Sequence, residues 1–177
     1  MKRYEDVTDF VDEQIGKLSL TEQVTFLQNL IYQFANNLPN DWLDDELERE
    51  KPHYQAIFAQ IIQQPTRQTW QADVIVQHLS DLDDIMWQMG ETYPHSTSDA
   101  ILLIMELLDY WLVLIEVKQK SDASDDIITS ATMGYLSYFD ALVEEQTGEL
   151  ADNATWLDYP QTAQGFEMLK IALAKPI

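Results

Sequence analysis

The residue pattern predicts an all-α protein: a single-domain bundle of six to seven helices around a central apolar helix at about 99–119. Three observations carry this expectation. Apolar residues recur at spacings of three and four along successive blocks, which is the period of a buried helix face. Prolines fall between those blocks, where helices end. No segment shows sustained two-residue alternation with β-branched enrichment, so strands are not expected. The 177 residues are read as one domain, 1–177, with no Ser/Gly-rich linker and no internal repeat.

The elements follow in order. Over about residues 4–17, Val7, Phe10, Val11 and Ile15 share one helical face. Ser19-Leu-Thr-Glu22 fits a capping box, in which Ser and Glu satisfy exposed N–H groups at a helix start. Val24, Leu27, Ile31, Phe34 and Leu38 then form a stripe widened by Phe26 and Leu30, and Pro39 stops it. The acidic stretch 40–51, NDWLDDELEREK, allows a short helix with Leu43 and Leu47 on one side.

A further helix over about 53–64 buries Ile57, Phe58, Ile61 and Ile62. The next, about 66–90, aligns Ile75, Leu79, Leu82, Met86 and Met89. Ser96-Thr-Ser-Asp99 offers a second capping pattern ahead of the most apolar run, which extends to about Lys120. About 124–146 buries Ile128, Ala131, Tyr135, Phe139 and Leu142, and Gly134 inside it hints at close helix approach. A last helix, about 161–174, carries Phe166, Leu169 and Leu173. Trp70, Trp87, Trp111 and Trp156 read as core anchors rather than as a cofactor box.

Charge narrows the function. Asp and Glu number 31 against 10 Lys and Arg, for a net charge of −21. That field repels nucleic-acid backbones and anionic lipid headgroups, so neither is an expected partner. The apolar run Ala100–Val117 approaches spanning length but contains Glu106, Asp109 and Glu116. Each would cost about 2.5–3.5 kcal/mol at a bilayer centre, so no membrane span is expected. Cysteine is absent, which excludes disulfides and thiolate zinc sites. No signal-peptide run follows Lys2 and Arg3, and a cytoplasmic location is expected.

Two acidic doublets give the sharpest enzyme-like pattern. Asp81-x-x-Asp84 and Glu106-x-x-Asp109 each place two carboxylates on one helix face, and together they could hold magnesium. The arrangement resembles the ExxE…ExxD motif of the all-α nucleoside triphosphate pyrophosphohydrolases, although Asp stands where the first half of that motif has Glu. A helical projection opposes it. With Leu79 at zero, Asp81 and Asp84 lie roughly 140–200° from the apolar stripe and should face water. Asp99, Glu106, Asp109, Glu116 and Lys120 likewise form a polar edge on the following helix. No catalytic residue, metal site or cofactor is therefore assigned.

Histidine spacing offers little. His53, His78 and His95 form no His-x-x-x-His pattern, and Pro52 argues against regular helix around Glu50-x-x-His53. His78, beside the apolar stripe of its helix, reads as a structural residue.

Three regions carry a family likeness. They are Gln23-Val-Thr-Phe26-Leu leading to Leu38-Pro39-Asn40, Tyr93-Pro94 followed by Asp99-Ala100, and Ser130-Ala-Thr through Glu144-Glu-Gln-Thr-Gly148. Over about residues 18–173 the chain resembles the YjaG-like family of small helical bacterial proteins. His95 and an insertion interrupt the tight central Tyr-Pro-Ala spacing of that family. The resemblance implies a helical fold and supplies no reaction, because none is established for the family.

The leading expectation is a non-enzymatic interaction or adaptor protein that meets a basic partner through its acidic surface. Between Arg67 and Lys118, and again between Lys120 and Lys170, every charged side chain is acidic. Trp42, Leu43, Asp44, Asp45, Leu47 and Glu48 could supply an aromatic anchor inside an acidic rim. A magnesium-dependent pyrophosphohydrolase using Asp81, Asp84, Glu106 and Asp109 is the alternative. Oligomeric state is left open.

Overall fold

Ser19 opens the helix from which the bundle is built outward. The computed structural model describes residues 3–37, 51–63, 70–89, 95–116 and 126–174, with side chains at 3–37, 51–63, 70–84, 99–116 and 126–174. Its helices are α1 (Tyr4–Phe10), α2 (Leu20–Asn36), α3 (Lys51–Ile62), α4 (Ala72–Met89), α5 (His95–Leu114), α6 (Ile127–Thr147) and α7 (Pro160–Ala174). A π-helical turn, Val11–Ile15, continues α1. Among the described residues there is no strand, and the protein is an all-α bundle.

The Ser19 amide and hydroxyl both donate to Glu22 Oε2, at 2.8 and 2.5 Å. The hydroxyl first, and the amide after it, hold the Glu22 carboxyl below its usual range. Along α2, Leu27, Leu30 and Ile31 are fully buried, with Phe26, Phe34 and Ala35 close behind. Gln28, Asn29 and Gln33 are buried as well. A helix hidden so far round its circumference needs cover on several sides. It receives that cover from α5, α7 and α3.

Helices α2, α5, α6 and α7 pack in a closed ring, each against the next. The α3–α4 pair attaches through α2, and the π-helical turn after α1 packs on α6. The α5 stripe Leu103, Ile104, Leu107, Leu108, Trp111 and Leu112 is buried in this ring, as the apolar run predicts. Each fully buried Leu or Ile contributes about 1.5–3 kcal/mol. On α3 and α4, Ile57, Ile61, Ile75, Leu79 and Leu82 are buried, while Phe58 and Ile62 are half-buried against the core. The expected positions at Leu38, Leu43 and Leu47, and the side chains of Met86, Trp87 and Met89, lie outside the described residues.

Several expectations change in detail. Helix α5 begins at His95, ahead of Ser96, so the second capping pattern does not mark its start. Pro52 lies within α3 rather than breaking it, because a first-turn residue needs no intrahelical N–H bond. On α6 the buried position is Val143, with Leu142 only half-buried.

The closest helix approach is also not at Gly134. A methyl group there would stand 3.4 Å from a Glu106 carboxylate oxygen, whereas one at Gly165 would lie 2.6 Å from Phe139 Cγ. Gly165 thus lets α7 rest on the Phe139 ring, and the Tyr135 hydroxyl donates to the Gly165 carbonyl at 3.0 Å. Phe34 meets Tyr135, Tyr138 and Phe139 edge-on, with centroids 5.9, 5.1 and 6.1 Å away. The Asn29 amide donates to the Ala172 carbonyl at 3.0 Å, satisfying an acceptor in the last turn of α7.

Between α6 and α7 the chain is latched by Asp140. Its Oδ1 accepts from the Ala151 amide and from Trp156 Nε1, both at 3.3 Å. Trp156 is fully buried, and Tyr4 lies edge-on to it at 5.5 Å. The N-terminal helix is thereby fastened to the segment before α7, and the Tyr4 amide donates to the Asn153 carbonyl at 2.8 Å.

Two substitution experiments follow from this packing. Gly165→Ala should cost about 1–3 kcal/mol by forcing the Phe139 ring aside, whereas Gly134→Ala should gain up to about 1 kcal/mol from helix propensity. Urea unfolding of the two variants checks the contrast. Glu116 closes α5 at φ 61°, in the left-handed region. Glu116→Gly should therefore raise stability by about 1 kcal/mol with an unchanged denaturant slope.

Candidate functional site

An open groove of about 580 Å³ runs between α5 and α6. Its α5 side presents Asp99, Leu102, Leu103 and Glu106, which recur every three or four residues and so share a face. Its α6 side presents Gly134, Ser137, Tyr138, Ala141 and Leu142, followed by Glu144 and Glu145. Gly134, Ser137 and Ala141 are small residues on the α6 side. Gly134 faces the Glu106 carboxylate, from which a methyl group there would stand at an ordinary contact distance of 3.4 Å.

The groove is lined by apolar side chains and by carboxylates together. Leu102 is 42% exposed, an unusual degree for a leucine in the middle of the bundle's most apolar helix. Asp99, Glu106, Glu144 and Glu145 supply four carboxylates, and none of the lining residues is basic. Tyr138 joins the groove to the core, its ring stacked edge-on against Phe34. Burial raises the Tyr138 hydroxyl above its usual pKa, and the Asp99 and Glu145 charges raise it further. Tyr110, beside the groove residue Glu106, is likewise raised, first by burial and then by the Glu106 charge and hydrogen bond.

A second cluster lies where α3 meets α4. His53 Nδ1 is 3.1 Å from His78 Nδ1 and 3.5 Å from Asp81 Oδ2. Gln77 Nε2 donates to the other Asp81 oxygen at 3.0 Å. The two imidazoles meet edge-on with centroids 5.4 Å apart. Among the described residues this is the one group of three His, Asp or Glu side chains whose ligand atoms all lie within 4.8 Å of one another.

The acidic quartet is distributed differently from either sequence reading. Asp81 is half-buried, with one carboxylate oxygen 3.5 Å from His53 Nδ1 and 37% of the side chain still exposed. Asp84 is exposed, as the helical projection expects. Glu106 is exposed within the α5–α6 groove, and Asp109 is half-buried one turn further along α5. Asp84, Glu106 and Asp109 do not join Asp81 in a metal-sized group. The segment Trp42, Leu43, Asp44, Asp45, Leu47 and Glu48 lies outside the described residues.

Sequence reasoning passed over both features. His78 and Asp81 are three apart on one helix, a legible signal, but their partner His53 lies on another helix and belongs to no local motif with them. The groove had a partial signal in Gly134 and in the polar edge of α5. Comparison of the chain with protein-family models, with curated proteins and with solved structures finds no match.

Tyr138 gives the groove a measurable electrostatic signature. Its folded pKa exceeds the unfolded value of about 10, so the unfolded chain releases this proton first. The ring's contribution to stability is complete below about pH 10 and is lost as pH rises through the folded value. Glu145→Gln should bring the Tyr138 pKa back toward its ordinary value, read by a tyrosinate absorbance titration against Tyr138→Phe.

Proposed function

We propose that the protein is a non-enzymatic interaction module that docks a basic, amphipathic segment of a partner protein in the α5–α6 groove. The observation that carries this reading is a groove lined both by the apolar Leu102, Leu103 and Leu142 and by the carboxylates of Asp99, Glu106, Glu144 and Glu145. An apolar side chain settles on the leucines while flanking Lys or Arg side chains meet the carboxylates, the mode by which grooves take amphipathic helices. The net charge of −21 supports it by drawing cationic partners to the whole surface and speeding encounter. The same carboxylates disfavour a phosphate backbone, so nucleic acid is not the proposed occupant.

Among the described residues no helix is long and apolar enough to cross a membrane. Membership of the YjaG-like family, with the bacterial cytoplasmic setting it implies, belongs to the same proposal. It rests on the residue patterns around Phe26, Pro94 and Glu144.

The test is a titration of the protein with a synthetic Leu/Lys amphipathic helical peptide, followed by NMR. Saturable shifts at Leu102, Ser137 and Ala141 are expected, with affinity falling at least tenfold in Glu145→Lys and in Leu102→Asp. Binding should weaken as salt rises, and a Leu/Glu peptide should not bind. Equal affinity for the parent and both variants, or shifts spread evenly over the acidic surface, would overturn the proposal.

A further inference from the structure

The cluster between α3 and α4 has the composition and spacing of a transition-metal site. We propose that His53, His78 and Asp81 bind a divalent transition-metal ion of the zinc class. Neutral imidazole nitrogens with one carboxylate oxygen form a donor set that suits zinc and its neighbours, whereas magnesium and calcium prefer oxygen alone.

The distances carry the argument. With zinc–ligand bonds of 2.0–2.1 Å, adjacent donors of a tetrahedral site stand about 3.3–3.4 Å apart. The His53–His78 separation of 3.1 Å and the His53–Asp81 separation of 3.5 Å bracket that value. All three donor atoms lie within 4.8 Å of one another, so little side-chain adjustment brings the third edge into range.

The scaffold is suited to holding them. His78 and Asp81 project from one face of α4, three residues apart, and His53 projects from α3, which packs along it. Buried Tyr54, Ile57, Leu79 and Leu82 fix both backbones next to the site. Gln77 orients the carboxylate through its hydrogen bond to the second Asp81 oxygen, the role an outer-shell partner plays around a metal. The His53 and Asp81 side chains are 23% and 37% exposed, so an ion can reach them from solvent. Three protein ligands leave a tetrahedral ion one position for water.

This site is independent of the α5–α6 groove, and its test does not involve the docking peptide. The chain is titrated with Zn²⁺ by calorimetry in the presence of excess Mg²⁺, and His imidazole ¹⁵N resonances are followed on the unmodified protein. One saturable equivalent is expected, with the His53 and His78 signals shifting together. Affinity should fall about 100-fold or more in His78→Ala and in Asp81→Asn, and stay unchanged in Asp84→Asn. Gln77→Ala should weaken binding about 10–100-fold, the usual cost of losing an outer-shell partner. Co²⁺ at the same site should give the intense visible bands of four-coordination. The proposal is overturned if Zn²⁺ is displaced by Mg²⁺, if the imidazole signals do not move, or if folded Asp81→Asn binds as the parent does. The resonance measurement decides the matter even where a histidine variant fails to fold.

Discussion

The architecture depends on covering α2. Between Phe26 and Ala35 every residue except Tyr32 is buried, so a single partner helix would leave much of that surface in water. Packing α5, α7 and α3 against it meets the constraint, and α6 then closes the ring. The buried polar residues on α2 raise the stakes, because an amide removed from water needs a partner. The Asn29 NH2 group donates to the Ala172 carbonyl, which ties the middle of α2 to the end of α7. The α6–α7 contact is set in turn by Gly165 against Phe139 and by the Tyr135 hydroxyl.

A chain with so many carboxylates must place them where their hydration survives, and the helices do so by period. On α5, Asp99 and Glu106 share a face roughly 160–180° round the helix from the fully buried Leu108. What makes that face more than a solvated edge is its neighbour. Small residues Gly134, Ser137 and Ala141 on α6 line the groove opposite Leu102, which stays exposed between Asp99 and Glu106 along α5. Charge and apolar area then occupy one groove, which is the combination a cationic amphipathic segment requires.

The two candidate sites use the bundle in different ways. The groove lies on the outer surface of two ring helices, where carboxylates and apolar side chains line it together. The histidine cluster lies across the attached α3–α4 pair, where two packed helices bring His53 Nδ1 to 3.1 Å from His78 and 3.5 Å from Asp81. Sites on helices hold such positions better than sites on loops, because their backbones are fixed by core packing.

By itself the sequence determined the helices: the stripes at Leu27, Ile31 and Phe34, at Ile75, Leu79 and Leu82, and at Ile128, Tyr135 and Phe139 are periodic, local and buried as expected. The Ser19–Glu22 cap was equally legible, since its partners are three residues apart. Tertiary structure decided what lies between helices. Gly134 and Gly165 are alike in sequence, and only the Phe139 ring opposite Gly165 makes a side chain costly there. His53 and His78 are 25 residues apart and share no motif, yet the α3–α4 crossing sets their nitrogens 3.1 Å from each other. The physical reason is common to both cases. Periodicity encodes which way a side chain leaves its own helix, whereas what it meets depends on the angle and register at which another helix arrives.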